Sequence, residues 1–468
     1  MKVMHYFLGF PPLHRGGLMV YVKDLSFNLK EKGIDISLLM PGKYSLYSKR
    51  SYVNLYKQVN GIPVYYIKNP LPVSFNGFKE PEYFMEKRVK NNYFDFFKNI
   101  NIDILHIHSL IGLPYEIVEN AKKAGIKVIY TTHDYYGLCP KINFYRIDGV
   151  DCLEDYSIKN CIFCNSQTSS VIKKIFFRNF LHFKYINVLK SLYYPIKKVK
   201  MFFKKSYENS VRDVFVSILD TSKFDRNIAK YVDWQNYEKD IIEEFDYIIF
   251  NSNNTKEVYS KFIDLKFKSY EVINVSNNSI KDNRNLFNYR PLINGKVIFS
   301  FLGGKSKIKG FYSLINVFNE IRKKYNNWEL HVYGTNEKLE INNENIKFKG
   351  TYTHEDLMNI MLNSSIVLLP SKSHETFGFV GLEGISYGIP VLISDKVGLK
   401  DIIIHNYNGF IVKDTKDDKY LKDQIIRILE NPNILENIHN NILKMNFNFD
   451  MATHVDRILN VYKKLLEV

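Results

Sequence analysis

The feature that most constrains the fold is an alternation of short apolar strands with amphipathic helices, which occurs twice along the chain. In the first half, KVMHYFLGF is followed by HRGGLMVYVKDLSFNLKEKG, whose apolar residues recur at helical spacing until Gly33, and then by the strand IDISLLMP. The pattern restarts at GKVIFSFLGG, after an Asn- and Ser-rich stretch, NVSNNSIKDNRN, that is typical of a linker. Such alternation is typical of parallel α/β sheets. The sequence therefore predicts an α/β protein of two doubly wound, Rossmann-like domains that face each other across a cleft.

The predicted boundary between the two domains lies near residue 285. We assign residues 1–285 to the N-terminal domain and 286–450 to the C-terminal domain, and we expect the last helix, 451–468, to return to the first domain. A chain of 468 residues is too long for a single compact core. In open α/β sheets ligands bind beyond the carboxyl ends of the strands, so the polar ends of IDILHIHS and KVIYTTHD should line the cleft.

The chain is basic, and part of its charge is concentrated in one insert of the first domain, residues 165–240. The formal net charge is +16, which favours phosphate-bearing or polyanionic partners or an anionic membrane surface. Within the insert, residues 172–206 are rich in Lys and aromatic residues and lack Asp and Glu, and Pro195 divides them. Four phenylalanines fall near helical spacing: Phe176, Phe177, Phe180 and Phe183. This composition indicates an interfacial helix on an anionic membrane; the alternative is an amphipathic helix packed on its own domain with solvated lysines.

The location expected from the sequence is cytoplasmic, peripheral on the inner face of the cell membrane. The start of the chain, MKVMHYFLGFPP, lacks the pattern of a signal peptide and reads as a first strand. No stretch approaches 18 uncharged apolar residues, so a spanning helix is not expected.

All the cysteines of the chain lie in one short region. They are Cys139, Cys152, Cys161 and Cys164. In a cytoplasmic chain this clustering argues against disulfides and indicates four thiolates around one metal ion, most simply a structural zinc. Only the last pair has the tight C-x-x-C spacing, and the alternative is four unrelated reduced thiols.

The stretch HETFGFVGLEG contains two glutamates, Glu375 and Glu383, eight positions apart. In one continuous helix their Cα atoms would lie about 12 Å apart, whereas a retaining glycosidase needs its carboxyl groups about 5 Å apart. Solvated helix-surface charges are the other ordinary explanation. However, Gly378 and Gly381 allow the backbone to approach a ligand, and a loop that turns into a helix presents free N–H groups suited to a diphosphate. The two carboxylates could then hold different hydroxyls of one long ligand, such as a nucleotide sugar.

With these motifs, the sequence resembles the family-4 group of retaining glycosyltransferases ("glycosyl transferases group 1"), which have the GT-B architecture. The resemblance extends over most of the chain and preserves the order of the motifs. They are HRGGLMVYVKDL, IDILHIHS, YTTHDYYGLCP, KGFYSLINVF, LLPSKSHETFGFVGLEGISYGIPVLIS and NGFIV. The E-x7-E element is the most specific of them. The resemblance implies that the first domain binds the acceptor and the second binds the nucleotide sugar.

The resemblance also implies roles for residues of the second domain. Glu383 should bind the ribose hydroxyls, and Glu375 should contact hydroxyls of the transferred sugar. Lys309, of the K-G pair, should contact the diphosphate and offset charge on the leaving group. Backbone groups of three residues should lie near the sugar and the diphosphate: Phe377, Gly378 and Phe379.

In the first domain, Gly16 and Gly17 resemble the family's glycine loop, which lies beside the donor phosphates and the acceptor. His133 and Asp134 match the family's H-D element. The resemblance implies that His133 contacts the donor sugar and that Asp134 helps to orient the site or the acceptor. Two histidines share one face of the preceding strand and are expected to support the site from behind: His106 and His108.

One departure from the family pattern concerns the phosphate site. The family usually has an Arg in a G-R-x4-K-G arrangement, whereas FLGGKSKIKG has Gly304 at that position. Lys305 or Lys307 is expected to supply the cation, although neither offers the bidentate fork of Arg.

The implied reaction is transfer of a sugar from a nucleotide sugar, UDP-linked, to a lipid-linked or oligosaccharide acceptor in cell-surface polysaccharide or glycoconjugate assembly. The anomeric configuration is retained by front-face attack, and the leaving diphosphate accepts the proton. No D-x-D motif lies at a strand end, so no cofactor is expected for catalysis. The alternatives are a catalytically impaired GT-B scaffold protein and a GT-B enzyme that glycosylates nucleic acid. No nucleic-acid-binding motif is present, and no nucleic-acid partner is expected.

Overall fold

The computed structural model describes residues 1–14, 16–45, 48–181, 221–336 and 341–467. Within them, the first domain is built on an eight-stranded sheet with the order β3-β4-β2-β1-β5-β6-β7-β8. The sheet is parallel except for β3, which is antiparallel to β4. The strands are β1 (Lys2–Tyr6), β2 (Asp35–Pro41), β3 (Tyr52–Val59), β4 (Ile62–Lys68), β5 (Ile104–Ile107), β6 (Lys127–Thr132), β7 (Tyr247–Phe250) and β8 (Tyr270–Val272).

Helices cover both faces of this sheet. They are α1 (Gly17–Glu31), α2 (Tyr93–Ile100), α3 (Tyr115–Lys123), α4 (Lys159–Asn165), α5 (Val171–Leu181), α6 (Thr221–Glu243) and α7 (Asn253–Ser260), with a 3₁₀ turn at Pro81–Phe84. Because both faces are covered, central strands such as β5 are buried at every position and are mostly apolar, with His106 as the polar residue of β5. Helix α1 ends two residues before Gly33, which adopts φ +83°. This confirms the helix end that the sequence predicts.

The second domain is built on a six-stranded parallel sheet with the order β11-β10-β9-β12-β13-β14. Its strands are β9 (Val297–Phe301), β10 (Trp328–Tyr333), β11 (Ile346–Gly350), β12 (Ile366–Leu369), β13 (Val391–Ser394) and β14 (Phe410–Val412). Its helices are α8 (Phe311–Ile321), α9 (Leu357–Leu362), α10 (Phe379–Ser386), α11 (Lys419–Glu430) and α12 (Asn433–Lys444), with 3₁₀ turns at His354–Asp356 and Gly398–Asp401. The strand order reverses between β9 and β12, as it does between β1 and β5, and such switch points are where doubly wound sheets bind ligands.

The last helix, α13 (Met451–Leu466), packs against α1 of the first domain. The hydroxyl of Tyr21, in α1, lies 2.9 Å from His454 Nε2. The hydroxyl of Tyr462 lies 2.6 Å from Nδ1 of His106, which is in β5. All four side chains are buried, so this helix forms part of the core of the first domain.

The basic aromatic segment is only partly included in the described residues. Its start forms α5, in which the guanidinium of Arg178 is buried and donates to the carbonyl oxygens of Leu8 (3.1 Å) and Pro41 (2.6 Å). On the same helix the side chains of Phe176 and Phe177 are 72% and 55% exposed. Residues 182–206, with Phe183 and Pro195, lie outside the described residues. In the part of the chain that is described, no helix is long and apolar enough to cross a membrane.

Candidate active site

The carboxyl ends of the two sheets meet at a cleft that contains a cavity of about 430 Å³. The first domain contributes the start of α1 and the loop after β6, and the second contributes the loops after β9 and β12 with the start of α10. Both domains therefore present ligand-binding loops to one space. The residues predicted from the sequence that line it are Gly17, His133, Asp134, Lys309, Glu375, Phe377, Gly378 and Phe379.

An ion pair between Lys309 and Glu375 lies in the wall of this cavity. Lys309 Nζ is 2.8 Å from Glu375 Oε2, and the hydroxyl of Ser371 donates to the other oxygen of the same carboxylate. The side chain of Glu375 is 14% exposed and that of Lys309 is 43% exposed. The carboxylate is therefore largely enclosed, while the ammonium group remains accessible to an anion that enters the cavity.

Two glycines allow the loops of the second domain to pack around this pair. Gly310 has φ +82°, and a β-carbon there would lie 2.0 Å from the carbonyl oxygen of Pro370. Gly378 has φ +108°, and a β-carbon there would lie 2.6 Å from Val397 Cγ1. A larger residue at either position would shift the backbone. Packing thus explains why glycine follows Lys309 and why glycine precedes α10.

The first residues of two helices, α1 and α10, line the same cavity. The free N–H groups and the positive dipole end of a helix N-terminus favour an anionic ligand. Gly16, just before α1, has φ +129°, and a β-carbon on Gly17 would lie 3.4 Å from the ring of Phe379. The small residues therefore let the two helix starts approach each other across the cleft.

His133 and Asp134 follow β6 and are held by neighbours of the first domain. The Asp134 carboxylate accepts hydrogen bonds from the hydroxyl of Ser109 (3.0 Å) and the backbone N–H of Tyr136 (2.8 Å). Burial raises the pKa of Asp134 to about 6, although these two hydrogen bonds act in the opposite direction. Burial lowers the pKa of His133 to about 3, so its imidazole is neutral at pH 7.

The other two histidines predicted from the sequence lie behind His133. His108 Nδ1 lies 3.3 Å from His133 Nε2. His106 is 2.7 Å from the hydroxyl of Thr131 through Nε2, and its Nδ1 contacts Tyr462. Neither His106 nor His108 lines the cavity, and His108 is placed to orient the ring of His133.

Glu383 lies in α10 and does not line the cavity. It is 4% exposed, and burial raises the pKa of its carboxyl to about 8. The ring of His354 lies near this carboxyl group, with its Nδ1 atom 3.8 Å from Glu383 Oε1. The two glutamates of the E-x7-E element therefore differ in environment, since Glu375 pairs with Lys309 whereas Glu383 is more deeply buried and has no ion pair shorter than 3.8 Å among the described residues.

The two lysines expected to replace the missing Arg do not line the cavity. Lys307 Nζ lies over the ring of Tyr145, 5.9 Å from its centroid, and Lys305 also lies outside the lining. Gly304 has φ +59°, and a β-carbon there would lie 2.9 Å from the carbonyl oxygen of Gly334. Close packing against this carbonyl gives a physical reason for glycine at the position where the family has Arg.

The sequence reasoning missed the residues that fasten the Glu375 loop to the first domain. The carbonyl oxygen of Thr376 accepts hydrogen bonds from the hydroxyls of Ser252 (2.6 Å) and Thr255 (2.9 Å), at the start of α7. The hydroxyl of Thr376 donates to the carbonyl oxygen of His133 at 3.1 Å. The partners stand far apart in the sequence, and nothing in their local pattern indicated that they meet.

A charged cluster at the same domain boundary was also missed. The Asp151 carboxylate lies 2.8 Å from His374 Nε2 and 3.2 Å from Lys396 Nζ. Lys396 Nζ is also 2.7 Å from Asp414. The carbonyl oxygen of Asn143 accepts a hydrogen bond from the backbone N–H of His374 at 3.1 Å. The residue that precedes Glu375 is thus held by the segment that contains the four cysteines.

Two family models match the chain. The model described as "Glycosyltransferase Family 4" matches residues 15–156, and the model described as "Glycosyl transferases group 1" matches residues 282–445. The first match includes the glycine loop and the H-D element, and the second includes the K-G pair and the E-x7-E element. The residues that line the cleft therefore come from both matched regions.

Named relatives and solved structures agree with these matches. The chain is 25% identical over 245 residues to the capsular polysaccharide biosynthesis glycosyltransferase CapM of Staphylococcus aureus, a match that spans 48% of this chain and 61% of CapM. It is 28% identical over 153 residues to the 2-deoxystreptamine N-acetyl-D-glucosaminyltransferase of Niallia circulans, which spans 31% of this chain and 39% of that enzyme. Both matches span less than two thirds of the relative.

The fold is also similar to that of Anabaena Alr3699/HepE in complex with UDP. The TM-score is 0.55 at 12% identity, and the alignment covers 99% of this chain and 100% of that chain. At this identity the similarity concerns the fold alone. The chain belongs to the family-4, group 1 glycosyltransferases, and its two facing α/β domains form the GT-B architecture.

Proposed function

We propose that this protein transfers a sugar from a nucleotide diphosphate sugar, UDP-linked, to a glycan acceptor with retention of the anomeric configuration. The observation that carries the proposal is the Lys309–Glu375 pair, which lies in one cavity with the starts of α1 and α10. A cation and two helix N-termini suit a diphosphate. A carboxylate directly beside them suits the hydroxyls of the attached sugar.

In the proposed complex the diphosphate lies between Lys309 and the two helix starts. The sugar lies toward Glu375 and His133, whose ring is neutral at pH 7 and can form hydrogen bonds without repelling Lys309. The nucleoside extends along α10 toward Glu383, beyond the cavity as it stands. The exposed ring of His354 lies at that end, so a ribose that displaces it gains access to the buried carboxylate.

Front-face transfer is supported because both carboxylates in the cavity already have partners. The two oxygens of Glu375 contact Lys309 and Ser371, and those of Asp134 contact Ser109 and a backbone N–H. Neither carboxylate is poised as a nucleophile. In the proposed reaction the acceptor oxygen attacks the anomeric carbon, the bond to the diphosphate breaks, and the acceptor's proton passes to the leaving phosphate oxygen. Lys309 offsets the charge that develops there, and no metal ion takes part.

The proposed acceptor is a lipid-linked glycan at the inner face of the cell membrane, in polysaccharide assembly. Two observations support this proposal. The name of CapM places that relative in capsular polysaccharide biosynthesis, and α5 of the acceptor-side domain exposes two phenylalanines on a basic segment. Exposed aromatics flanked by Lys suit an anionic membrane interface.

The donor is tested by thermal unfolding in the presence of a panel of nucleotide sugars. A donor at 100 times its Kd should raise the free energy of unfolding by about 2.7 kcal/mol. The anomeric configuration of the product, measured by NMR with the identified donor, tests retention. An inverted product contradicts the mechanism, and a panel without any stabilising nucleotide sugar contradicts the proposed donor class.

Replacement of Glu383 by alanine should weaken binding of the nucleotide itself by about 1.5–3 kcal/mol, the typical contribution of hydrogen bonds to a charged group. The ribose contact is present with or without the sugar, so the effect should be equal for UDP and for the UDP-sugar in calorimetric titrations. Glu355→Ala is the matched control, because Glu355 is exposed in the neighbouring 3₁₀ turn. Unchanged UDP affinity in Glu383→Ala contradicts the assignment.

The raised pKa of Glu383 makes the same contact pH-dependent. Ribose hydroxyls donate to the ionised carboxylate, so nucleotide binding lowers a pKa that is about 8 in the free protein. Affinity for UDP should therefore rise between about pH 7 and pH 9, with release of a proton. Glu383→Gln, which cannot ionise, should abolish this rise, and persistence of the rise in that variant contradicts the assignment.

Replacement of Phe176 and Phe177 by serine should weaken binding to anionic liposomes about tenfold or more, because a fully buried Phe contributes about 1.5–3 kcal/mol. Both side chains are exposed, so the melting temperature should not change. Phe267→Ser is the matched control, because that side chain is 82% exposed elsewhere on the first domain. Unchanged co-sedimentation of the double variant with phosphatidylglycerol vesicles contradicts the membrane proposal.

A further inference from the structure

The four cysteines come together around one small cavity, although three separate pieces of chain contribute them. Cys139 follows β6, Cys152 lies beyond an antiparallel bridge between Tyr145 and Asp151, and Cys161 and Cys164 lie in α4. All four line a cavity of about 20 Å³, which is separate from the cleft. A cavity of this size holds about one atom or one water molecule. None of the four forms a disulfide.

The surroundings of these sulfur atoms suit thiolates. Backbone hydrogen bonds from Phe144, Asn143 and Lys141 act on the Cys139 sulfur. Arg146, whose guanidinium pairs with Asp148, also lines this cavity. Backbone N–H groups that converge on one sulfur stabilise its negative charge, as they do for other anions. The loop after Cys139 is therefore folded around that sulfur atom.

Four sulfur atoms around one small cavity bring like charges together when they ionise. A divalent ion offsets that repulsion, because it pairs with the thiolates directly.

A second group of metal-ligating side chains is less suitable. In the described ranges, the one group of three ligand atoms within 4.8 Å of one another belongs to His5, His106 and His108. Both ring nitrogens of His106 already contact hydroxyls, and His5 Nδ1 is 2.8 Å from His108 Nε2. Five of the six ring nitrogens of this group therefore already have partners, and His5 Nε2 is the one without a hydrogen bond. No three of the four thiol sulfurs lie within 4.8 Å of one another, so metal binding would bring them closer together.

We propose that Cys139, Cys152, Cys161 and Cys164 bind one Zn²⁺ ion. The ion holds residues 139–164 against the loop that contains Glu375. Four sulfur ligands favour a tetrahedral site, and a cavity of about 20 Å³ suits a single ion such as Zn²⁺. Binding converts four thiols and one Zn²⁺ into a tetrathiolate complex with release of four protons. No bond is oxidised or reduced.

The zinc site is connected to the Glu375 loop through two residues of the same segment, Asp151 and Asn143. Asp151, adjacent to Cys152, pairs with His374 and Lys396, and the Asn143 carbonyl accepts the N–H of His374. His374 immediately precedes Glu375. Zinc would therefore act as a positioning element that keeps the Glu375 loop against the first domain. This second half of the inference rests on the proposed function, whereas the metal site does not.

The test begins with elemental analysis of full-length protein purified in reductant without chelator. We expect close to one zinc per chain, and less than a tenth of that in Cys161→Ser/Cys164→Ser. His5→Gln serves as the control and should keep its zinc. Protein without zinc that also fails to take up zinc on reconstitution overturns the site, as does full zinc content in the double Cys variant.

Because the double variant can fail to fold, a second measurement uses the unmodified chain. Cobalt exchanged into the protein should show the absorption of a tetrahedral thiolate complex. A chelator should remove the ion, lower the melting temperature and weaken UDP-sugar binding, and added Zn²⁺ should restore both. Cobalt spectra without thiolate ligation overturn the ligand assignment. Metal loss with unchanged nucleotide-sugar binding overturns the positioning role and leaves a purely structural site.

Discussion

Replacement of Lys309 by alanine should lower kcat for sugar transfer by about 10²–10³-fold. The size of this effect is that found when one preorganised donor to a developing negative charge is removed. Lys309 is the cation that lines the cavity and pairs with Glu375 at 2.8 Å. Without it, the helix N-termini are what remains among the described residues to offset charge on the leaving diphosphate. The measurement is the initial rate of transfer at saturating donor, with the melting temperature recorded on the same sample.

The matched control is Lys307→Ala. Lys307 lies two residues away in the same loop, but its ammonium group lies over Tyr145 and outside the cavity. Its kcat should stay within a few-fold of the parent. A Lys309→Ala protein that keeps full kcat contradicts the role of this residue. If kcat and the melting temperature fall equally in the two variants, the effect is due to loop folding instead.

The fold could be predicted because its strands can be recognised from their local sequence. Strands β5, β9, β12 and β13 are short, mostly apolar and buried at every position, and β6 is buried beyond its first residue, Lys127, as expected for strands covered on both faces. Their polar ends then meet at the switch points, which is why His133 and Glu375 line one cavity. Two repeats of this alternation predicted two facing domains without knowledge of any long-range contact.

The contacts between the domains could not be predicted in the same way. The cluster of Asp151, His374 and Lys396 joins residues more than two hundred positions apart, and each is an ordinary polar residue in its own segment. Likewise, the position of Gly304 against the Gly334 carbonyl depends on how two loops pack. Periodicity reports which face of an element is buried, but it does not report what that face meets.

Replacement of Asp151 by alanine should lower the free energy of unfolding by about 3–5 kcal/mol, the cost of removing one partner from a buried ion pair. The side chains of Asp151 and Lys396 are 7% and 9% exposed. Without Asp151, the buried ammonium group of Lys396 would keep its ion pair with Asp414 but lose the other of its two carboxylate partners. Burial alone would raise the pKa of Asp151. The hydrogen bond from His374 and the charge of its ring outweigh burial, together with the backbone N–H of Leu153 and the charge of Lys396, and they lower this pKa to about 2.

The lowered pKa of Asp151 determines the pH range in which this stabilisation is present. Because the folded pKa lies below the ordinary value of 3.8, the contribution of Asp151 is fully present above that pH and is lost as the pH falls toward about 2. The difference in stability between the parent and Asp151→Ala should therefore shrink on acidification, as denaturant unfolding at several pH values can show. The matched control is Asp148→Ala, three residues earlier, whose side chain is 47% exposed and pairs with Arg146. Exposed pairs contribute about 0–1 kcal/mol, so equal losses in the two variants would show that the buried cluster does not hold the domains together.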